Sequence, residues 1–270
     1  MADELAMART GLLDTIEALR AQIDALVVVG AQAVYLHTGS ALVAIAEFTT
    51  DADLAVDPDL LSSDPLVDEA MLAAGFEPDP RASVVGTWIS TRGVPVDLMV
   101  PEAVAGPGRR AARVPPHGPT SMRRARGLEA ALVDNDPMTI GALDPATDPR
   151  EFRVAVAGPA ALLVAKLQKI HDRIGSPDRQ DDKDAHDVYR LLVAIETDRL
   201  AEVLKRLLVD GRSAEATRES IGYLETDFAQ GPEAPGSAMA GAAERLVGDP
   251  AGVAESVALL ARDLLGALKS

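Results

Sequence analysis

The sequence predicts an α+β protein: a mixed sheet with flanking helices over residues 1–157, followed by a helical domain over residues 158–270. Two observations predict it. Up to "FRVAVA" at 152–157, short apolar runs of strand length are interleaved with amphipathic runs of helix length. From Gly158 onward only the helical period continues. Strands and helices first and helices alone afterwards is the α+β pattern, or that of two domains.

The elements follow in order. Residues 3–25 read as an amphipathic, mixed-charge helix, and "ALVVVG" at 25–30 as a short buried strand ending at a glycine. "AQAVYLHTG" reads as a helix stopped by Gly39, "TTDADLAVD" as a strand, and "DPLVDEAMLAAGF" as a helix stopped by Gly75. "SVVGTWIS" and "GVPVDLMV" are strands joined by the turn "TRG". Weaker strand signals lie near 128–133 and 137–142. Helices are expected at 159–174, 181–196, 198–209, 211–227, 237–247 and 251–268, with "GPEAPGS" at 231–237 as a linker.

Composition bounds the function. The chain of 270 residues is 47% apolar and 25% charged, ordinary for a globular protein with a sizeable core. No apolar run reaches membrane-spanning length, and the first residues lack the basic start and apolar block of a signal peptide. Cysteine is absent, which excludes disulfides and thiolate metal sites. A cytoplasmic location is the expectation. The net charge of −16 disfavours non-specific nucleic-acid binding. "RRAARVPPHGPTSMRRAR" at 109–126 runs against it. Arg109, Arg110, Arg113, Arg123, Arg124 and Arg126 stand there without one acid, as a solvated loop or as a phosphate or RNA contact.

The candidate chemistry lies in three carboxylates. Strand side chains alternate faces, so Asp51 and Asp53 project from one face, roughly 7 Å apart at the backbone, while Ala52, Leu54 and Val56 face a core. In "VPVDLMV", Val94, Val96, Leu98 and Val100 share a face and Asp97 stands on the other. Like charges this close need a cation between them, and Mg²⁺ prefers carboxylate and phosphate oxygens. A glycine closes the strand before "AQA", where helix N–H groups suit phosphate.

Together these residues resemble the nucleotidyltransferases of the polymerase β superfamily: a strand, a glycine turn opening a helix, D-x-D on the next strand and a third acid on a later one. "VVVGAQAVYLHTGS…FTTDADLAV" looks like the AbiEii-like branch, the nucleotidyltransferase toxins of abortive-infection and toxin–antitoxin systems, over most of residues 20–195. The resemblance implies a nucleotidyltransferase-type fold whose helical domain completes the nucleotide cleft. It implies Mg²⁺ or Mn²⁺ on Asp51, Asp53 and Asp97, and an NTP held by Gly30, Ala31, Gln32 and Thr50. The acceptor would be RNA or tRNA, and an antitoxin protein a partner. Ala31 stands where the family has a second Gly or Ser, and Glu47 where an arginine is often found. Gly39-Ser40 is the alternative turn; Gly30 is preferred because it follows an apolar strand and opens a helix.

The helical half adds polar residues on apolar stripes. Lys166 falls inside the stripe Leu162, Leu163, Leu167, Ile170, and Lys169 at its edge. Asp184 and Asp187 continue the stripe Val188, Leu191, Leu192, Ile195. The resemblance implies that Lys166 and Lys169 hold phosphate charge and that Asp184 or Asp187 orients Lys166 or the acceptor. Readings from other classes are a catalytically inactive nucleotide-binding module, suggested by Ala31 and Glu47, and an HD-type phosphohydrolase, suggested by "AHD" at 185–187. A small-molecule, antibiotic-type nucleotidyltransferase shares the fold. The few aromatics, Trp88 among them, read as packing rather than a base-stacking platform.

Overall fold

A computed structural model of the chain describes residues 2–39, 43, 49–80, 85–176 and 182–270. Glu47, Ser40, the first two residues of "SVVGTWIS" and the first residue of the helix expected at 181–196 lie outside the described residues. The chain folds as two compact units. The first comprises Met1–Ala33, Glu47–Leu128 and Asn135–Ala157; the second comprises Val34–Ala46, Glu129–Asp134 and Gly158–Ser270.

The first unit carries an eight-stranded mixed sheet. Its strands are β1 (Leu26–Val28), β2 (Ala52–Val56), β3 (Glu77–Pro78), β4 (Thr87–Ile89), β5 (Pro95–Pro101), β6 (Arg123–Ala125), β7 (Asn135–Gly141) and β8 (Glu151–Ala157). The order is β3-β4-β5-β2-β1-β8-β7, with β6 also on β5. β2 runs parallel to β5, β1 to β8 and β5 to β6; the remaining pairs are antiparallel. The "TRG" hairpin forms as expected, joining β4 to β5.

β4 and β6 occupy successive halves of the same edge of β5. Trp88 pairs with Val96, whereas Arg124 pairs with Val100. Gly86 sits at the junction with φ +80°, and a Cβ there would lie 2.3 Å from the Arg123 nitrogen. Only glycine tolerates both conditions.

Helix α1 (Ala2–Ala18) buries Leu5, Ala8, Leu12, Leu13 and Ile16, an i, i+3, i+4 stripe. The single helix expected over 3–25 breaks at Leu19 and tightens to a 3-10 turn, Arg20–Ala25. The reason is tertiary: buried Gln22 donates to the carbonyls of Ser62 and Pro65 and accepts from the Ser62 N–H. α2 (Gly30–Thr38) and α3 (Val67–Ala73) complete the helices of the front half.

The second unit contains α4 (Pro159–His171), α5 (Asp182–Ala194), α6 (Thr197–Leu207), α7 (Ala214–Tyr223), α8 (Pro235–Ala243) and α9 (Pro250–Lys269). One π-helical turn, Leu224–Phe228, continues α7. The expected linker at 231–237 is packed structure. Pro235 opens α8, and Ser237 donates to the carbonyl of the fully buried Phe228. The strand expected at 128–133 is a 3-10 turn, Glu129–Leu132. A short apolar run does not distinguish the two, and here Asp134 is held to α4: it accepts from the Ala161 N–H through its side chain and from Gly158 through its carbonyl. Among the described residues no helix is long and apolar enough to cross a membrane.

Candidate functional site: a carboxylate face beside a glycine turn

Asp53 on β2 and Asp97 on β5 follow the predicted alternation, whereas Asp51 lies just before β2, which is shorter than the strand expected from "TTDADLAVD". Ala52, Leu54, Val96 and Leu98 are fully buried, while Asp51, Asp53 and Asp97 are half-buried. β2 and β5 run parallel with Asp53 opposite Asp97, which sets the two residues one strand spacing apart, about 4.8 Å. Sequence reasoning gave the face of each acid; the register that makes two of them neighbours comes from the structure.

The turn before α2 closes against the same pair. The Val29 N–H donates to the Asp53 carbonyl at 3.0 Å. Gly30 has φ +69°, and a Cβ on it would lie 2.1 Å from Asp53 Oδ2. The Asp53 carboxylate therefore sits against the first residue of a helix, in space that exists because residue 30 has no side chain.

Neighbouring side chains fix the acids. Thr49 donates to Asp51 Oδ1 at 2.6 Å, and Thr87 donates to Asp97 Oδ1 at 2.6 Å. Gln32 is buried, and its amide donates to the Asp51 carbonyl and to the Ala8 carbonyl, while its Oε1 accepts from Arg9. Gln32 thus pins the strand entry through its side chain, leaving its backbone N–H to the helix start. Ala31 is buried and Thr50 exposed. Thr49, beside Thr50, is buried and holds Asp51.

The basic segment is not one solvated loop. Arg123–Ala125 forms β6, and Arg123 Nη2 lies 2.6 Å from Asp97 Oδ2. Arg124 donates to the carbonyls of Gly106 and Glu102, and Arg126 pairs with the Glu102 carboxylate at 3.3 Å. Arg109, Arg110 and Arg113 are exposed. His117 is anchored too. Its Nδ1 accepts from the Val67 N–H at the start of α3, and burial, outweighing the pull of Asp68, holds the imidazole below its usual range. Of Arg123, Arg124 and Arg126, Arg123 is the one that meets an acid of the carboxylate face.

The donor set suits a hard divalent cation: carboxylate oxygens on a half-buried face, with a helix start beside them. As the side chains stand, no three acidic or histidine groups are gathered closely enough to ligate a metal among the described residues. Asp53 and Asp97 are the in-register pair; Asp51 leans on Thr49, and the outer oxygen of Asp97 carries a guanidinium. A separate cleft of about 540 Å³ in the first unit is lined by residues including Asp14, Glu17, Phe76 and Arg92, and none of the predicted site residues borders it.

The second predicted group belongs to the helical unit. Lys166 on α4 is buried, and its Nζ lies 2.6 Å from both Asp184 Oδ1 and Asp187 Oδ2 on α5. Asp184 also receives Lys169 at 2.8 Å and Arg173 at 3.1 Å. Burial opposes the charge on Lys166, but Asp187 and Asp184 overcome it and hold the ammonium well above its usual range. For Asp184 burial likewise opposes ionisation, and Lys166 and Lys169 overcome it, so the carboxyl stays far below its usual range. Lys166 is given to two aspartates rather than left open to phosphate; Lys169, also paired with Asp184, keeps 44% of its side chain exposed.

His186 is buried with Nε2 on Glu244 at 2.9 Å, and His171 stacks on Tyr223 with Nδ1 on Asp227 at 2.8 Å. An HD-type metal centre finds no ligand cluster among the described residues.

Sequence reasoning missed Thr49, Thr87, the side-chain role of Gln32 and the pairing of Arg123, named only as a phosphate or RNA contact, with Asp97. Thr87 carried a usable signal: a hairpin turning at Arg92 sets residue 87 opposite residue 97. Arg123 carried none, because its partner strand lies 24 residues away in parallel register, Met99 to Arg123.

No protein-family model matches the chain, and no curated protein matches it. Among solved structures, one similar chain is the crystal structure of an antigenic nucleotidyltransferase-like protein from Paracoccidioides brasiliensis. The likeness covers 79% of this chain and 93% of that one, at 14% identity and a TM-score of 0.38, which is too distant to carry an argument about either fold or chemistry.

Proposed function

We propose that this chain is a metal-dependent nucleotidyltransferase that moves an NMP from an NTP to an acceptor hydroxyl, in the manner of the polymerase β superfamily and its AbiEii-like branch. One observation carries the reading. Asp53 and Asp97 stand in register on parallel strands, with the glycine turn of α2 closed against Asp53.

Asp51, Asp53 and Asp97 are the residues that would hold Mg²⁺ or Mn²⁺; bound there, the cation neutralises phosphate charge and stabilises the entering and leaving oxygens. The N–H groups at Gly30, Ala31 and Gln32 offer hydrogen bonds to the outer phosphates at the helix start. The acceptor oxygen attacks the α-phosphorus, the bond to the β-phosphate oxygen breaks, and pyrophosphate leaves. Asp97 would bind the second metal or take the hydroxyl proton. Thr49, Thr87 and Gln32 hold the acids so that catalysis is mainly positioning. In the helical unit, Lys169 offers charge to phosphate, and Lys166 is the positioning partner of Asp184 and Asp187.

RNA or tRNA is the proposed acceptor, with the exposed Arg109, Arg110 and Arg113 as its contacts. A role as the toxin of a toxin–antitoxin or abortive-infection system, with an antitoxin as partner, goes with that acceptor. A second reading, a nucleotide-binding module without turnover, draws on the guanidinium on Asp97 and the saturated Lys166.

The test is incubation with Mg²⁺ and each α-labelled NTP, with total RNA, cell protein or no addition, against Asp53→Asn. Label moving to one fraction and lost in the variant supports transfer and names the acceptor class. Metal-dependent nucleotide binding without transfer favours the binding module. No nucleotide binding at all overturns the site.

A further inference from the structure

We propose that Arg123 is an exchangeable counter-ion of the carboxylate site, bound to Asp97 in the absence of a divalent cation and passing to a nucleotide phosphate when metal and nucleotide arrive. The inference rests on the function proposed above and adds to it a residue, a coupling and an order of events.

Three features point to exchange. First, Asp53 and Asp97 are in-register carboxylates, and Arg123 supplies the positive charge that such a pair needs. A metal ion on the outer oxygen of Asp97 and the Arg123 guanidinium 2.6 Å from that oxygen exclude each other, being like charges in one place. Second, the hold is single-toothed. Nη2 alone reaches Asp97, and Arg123 Nε is buried without a hydrogen-bond partner. A guanidinium has five donors in a fixed fork, and a buried unsatisfied one disfavours the arrangement that leaves it so. Phosphate oxygens accept that fork bidentately, so the phosphate-bound state satisfies what the Asp97-bound state leaves open. Third, the side chains of Arg123 and Asp97 are each 25% exposed, so solvent and ions reach the pair. The neighbouring basic residues are held elsewhere: Arg124 by the Glu102 and Gly106 carbonyls, Arg126 by the Glu102 carboxylate. Thr87 keeps the inner oxygen of Asp97 fixed through the exchange.

The experiment measures Mn²⁺ binding by electron paramagnetic resonance of the free ion, and binding of a non-hydrolysable ATP analogue with Mn²⁺ present. It uses the full chain as wild type, Arg123→Gln, Arg123→Lys and Asp53→Asn. Arg123→Gln is expected to bind Mn²⁺ about tenfold more tightly and the analogue about tenfold more weakly. Arg123→Lys keeps the charge without the fork; it is expected to fall between on both readouts, and it carries the test if the glutamine variant does not fold. Unchanged Mn²⁺ affinity in the Arg123 variants, with binding lost in Asp53→Asn, overturns the exchange and leaves the site reading standing. Tighter Mn²⁺ with unchanged analogue affinity overturns the passage to phosphate. No Mn²⁺ binding in wild type or Arg123→Gln overturns both the exchange and the site.

Discussion

Replacing Gly30 by alanine tests the carboxylate face through geometry alone. Two costs act on the same residue. The backbone has φ +69°, where an L side chain costs about 1–2 kcal/mol. The new methyl would also stand 2.1 Å from Asp53 Oδ2 and 2.8 Å from its Cβ, so the carboxylate must move by about 1 Å or the strand must yield. The strand resists, because the Val29 N–H and the Asp53 carbonyl tie turn to strand one residue away. Together the terms come to about 2–4 kcal/mol, which lowers a urea midpoint by about 1 M. Gly93→Ala separates them. Gly93 has φ +79° with nothing within 4 Å of its absent Cβ, so alanine there meets the torsional cost alone. Urea unfolding by circular dichroism, with Mn²⁺ binding on the same samples, should show Gly93→Ala mildly destabilised and binding normally. Gly30→Ala should be destabilised further, with Mn²⁺ affinity down at least about tenfold, since a ligand displaced by about 1 Å no longer meets the cation's geometry. If Gly30→Ala matched Gly93→Ala in stability and wild type in Mn²⁺ affinity, the argument that the turn places Asp53 would be refuted.

Other expectations follow from the remaining polar groups. Lys166→Met leaves Asp184 and Asp187 facing each other in a buried site and should cost about 3–5 kcal/mol by chemical denaturation, whereas Lys169→Met, at an exposed end of the network, should cost under about 1 kcal/mol. Asp184 has a folded-state pKa below its unfolded value, so its contribution is complete above about pH 4 and is lost as pH falls further; Lys166→Met should flatten that acid limb in a stability–pH profile. His117 also has a lowered pKa, so the unfolded chain binds the extra proton. Stability should fall as pH drops below 6.5, and His117→Gln should remove that slope. Thr87→Val frees one oxygen of Asp97 while leaving the strand pairing intact, and should weaken Mn²⁺ binding several-fold with little change in the urea midpoint.

The legible parts of the molecule are those fixed by local pattern. Period-two alternation put Asp51, Asp53 and Asp97 on one kind of face and Val94, Val96, Leu98 and Val100 on the other, and the structure buries all four of the latter. The short strand ending at glycine located β1 and the start of α2, and the 3.6-residue stripes located Lys166, Asp184 and Asp187 on α4 and α5. What pattern could not supply is register between distant strands. β6 was hidden because three residues in parallel pairing carry no periodicity. The break in the first helix was hidden because it is set by Gln22 reaching 40 residues ahead to Ser62. Lys166 was legible as an anomaly on an apolar stripe, but its two partners, 18 and 21 residues on, decide whether it serves phosphate or carboxylate.

The grip of Asp134 on the start of α4 bears on how the protein can be dissected. Expressing residues 158–270 as the C-terminal half would deliver α4 with its first turn bare, since the carboxylate that accepts from Ala161 and the carbonyl that accepts from Gly158 are both left behind. The compact helical unit is discontinuous in sequence, recruiting Glu129–Asp134 from the far side of the β7–β8 hairpin. A cut at that hairpin's tip, in the turn around Thr147, parts β7 from β8, which both belong to the first unit, and still leaves Asp134 on the other fragment. A fragment that keeps the grip on α4 has to begin before Glu129, ahead of the apparent domain border at 157.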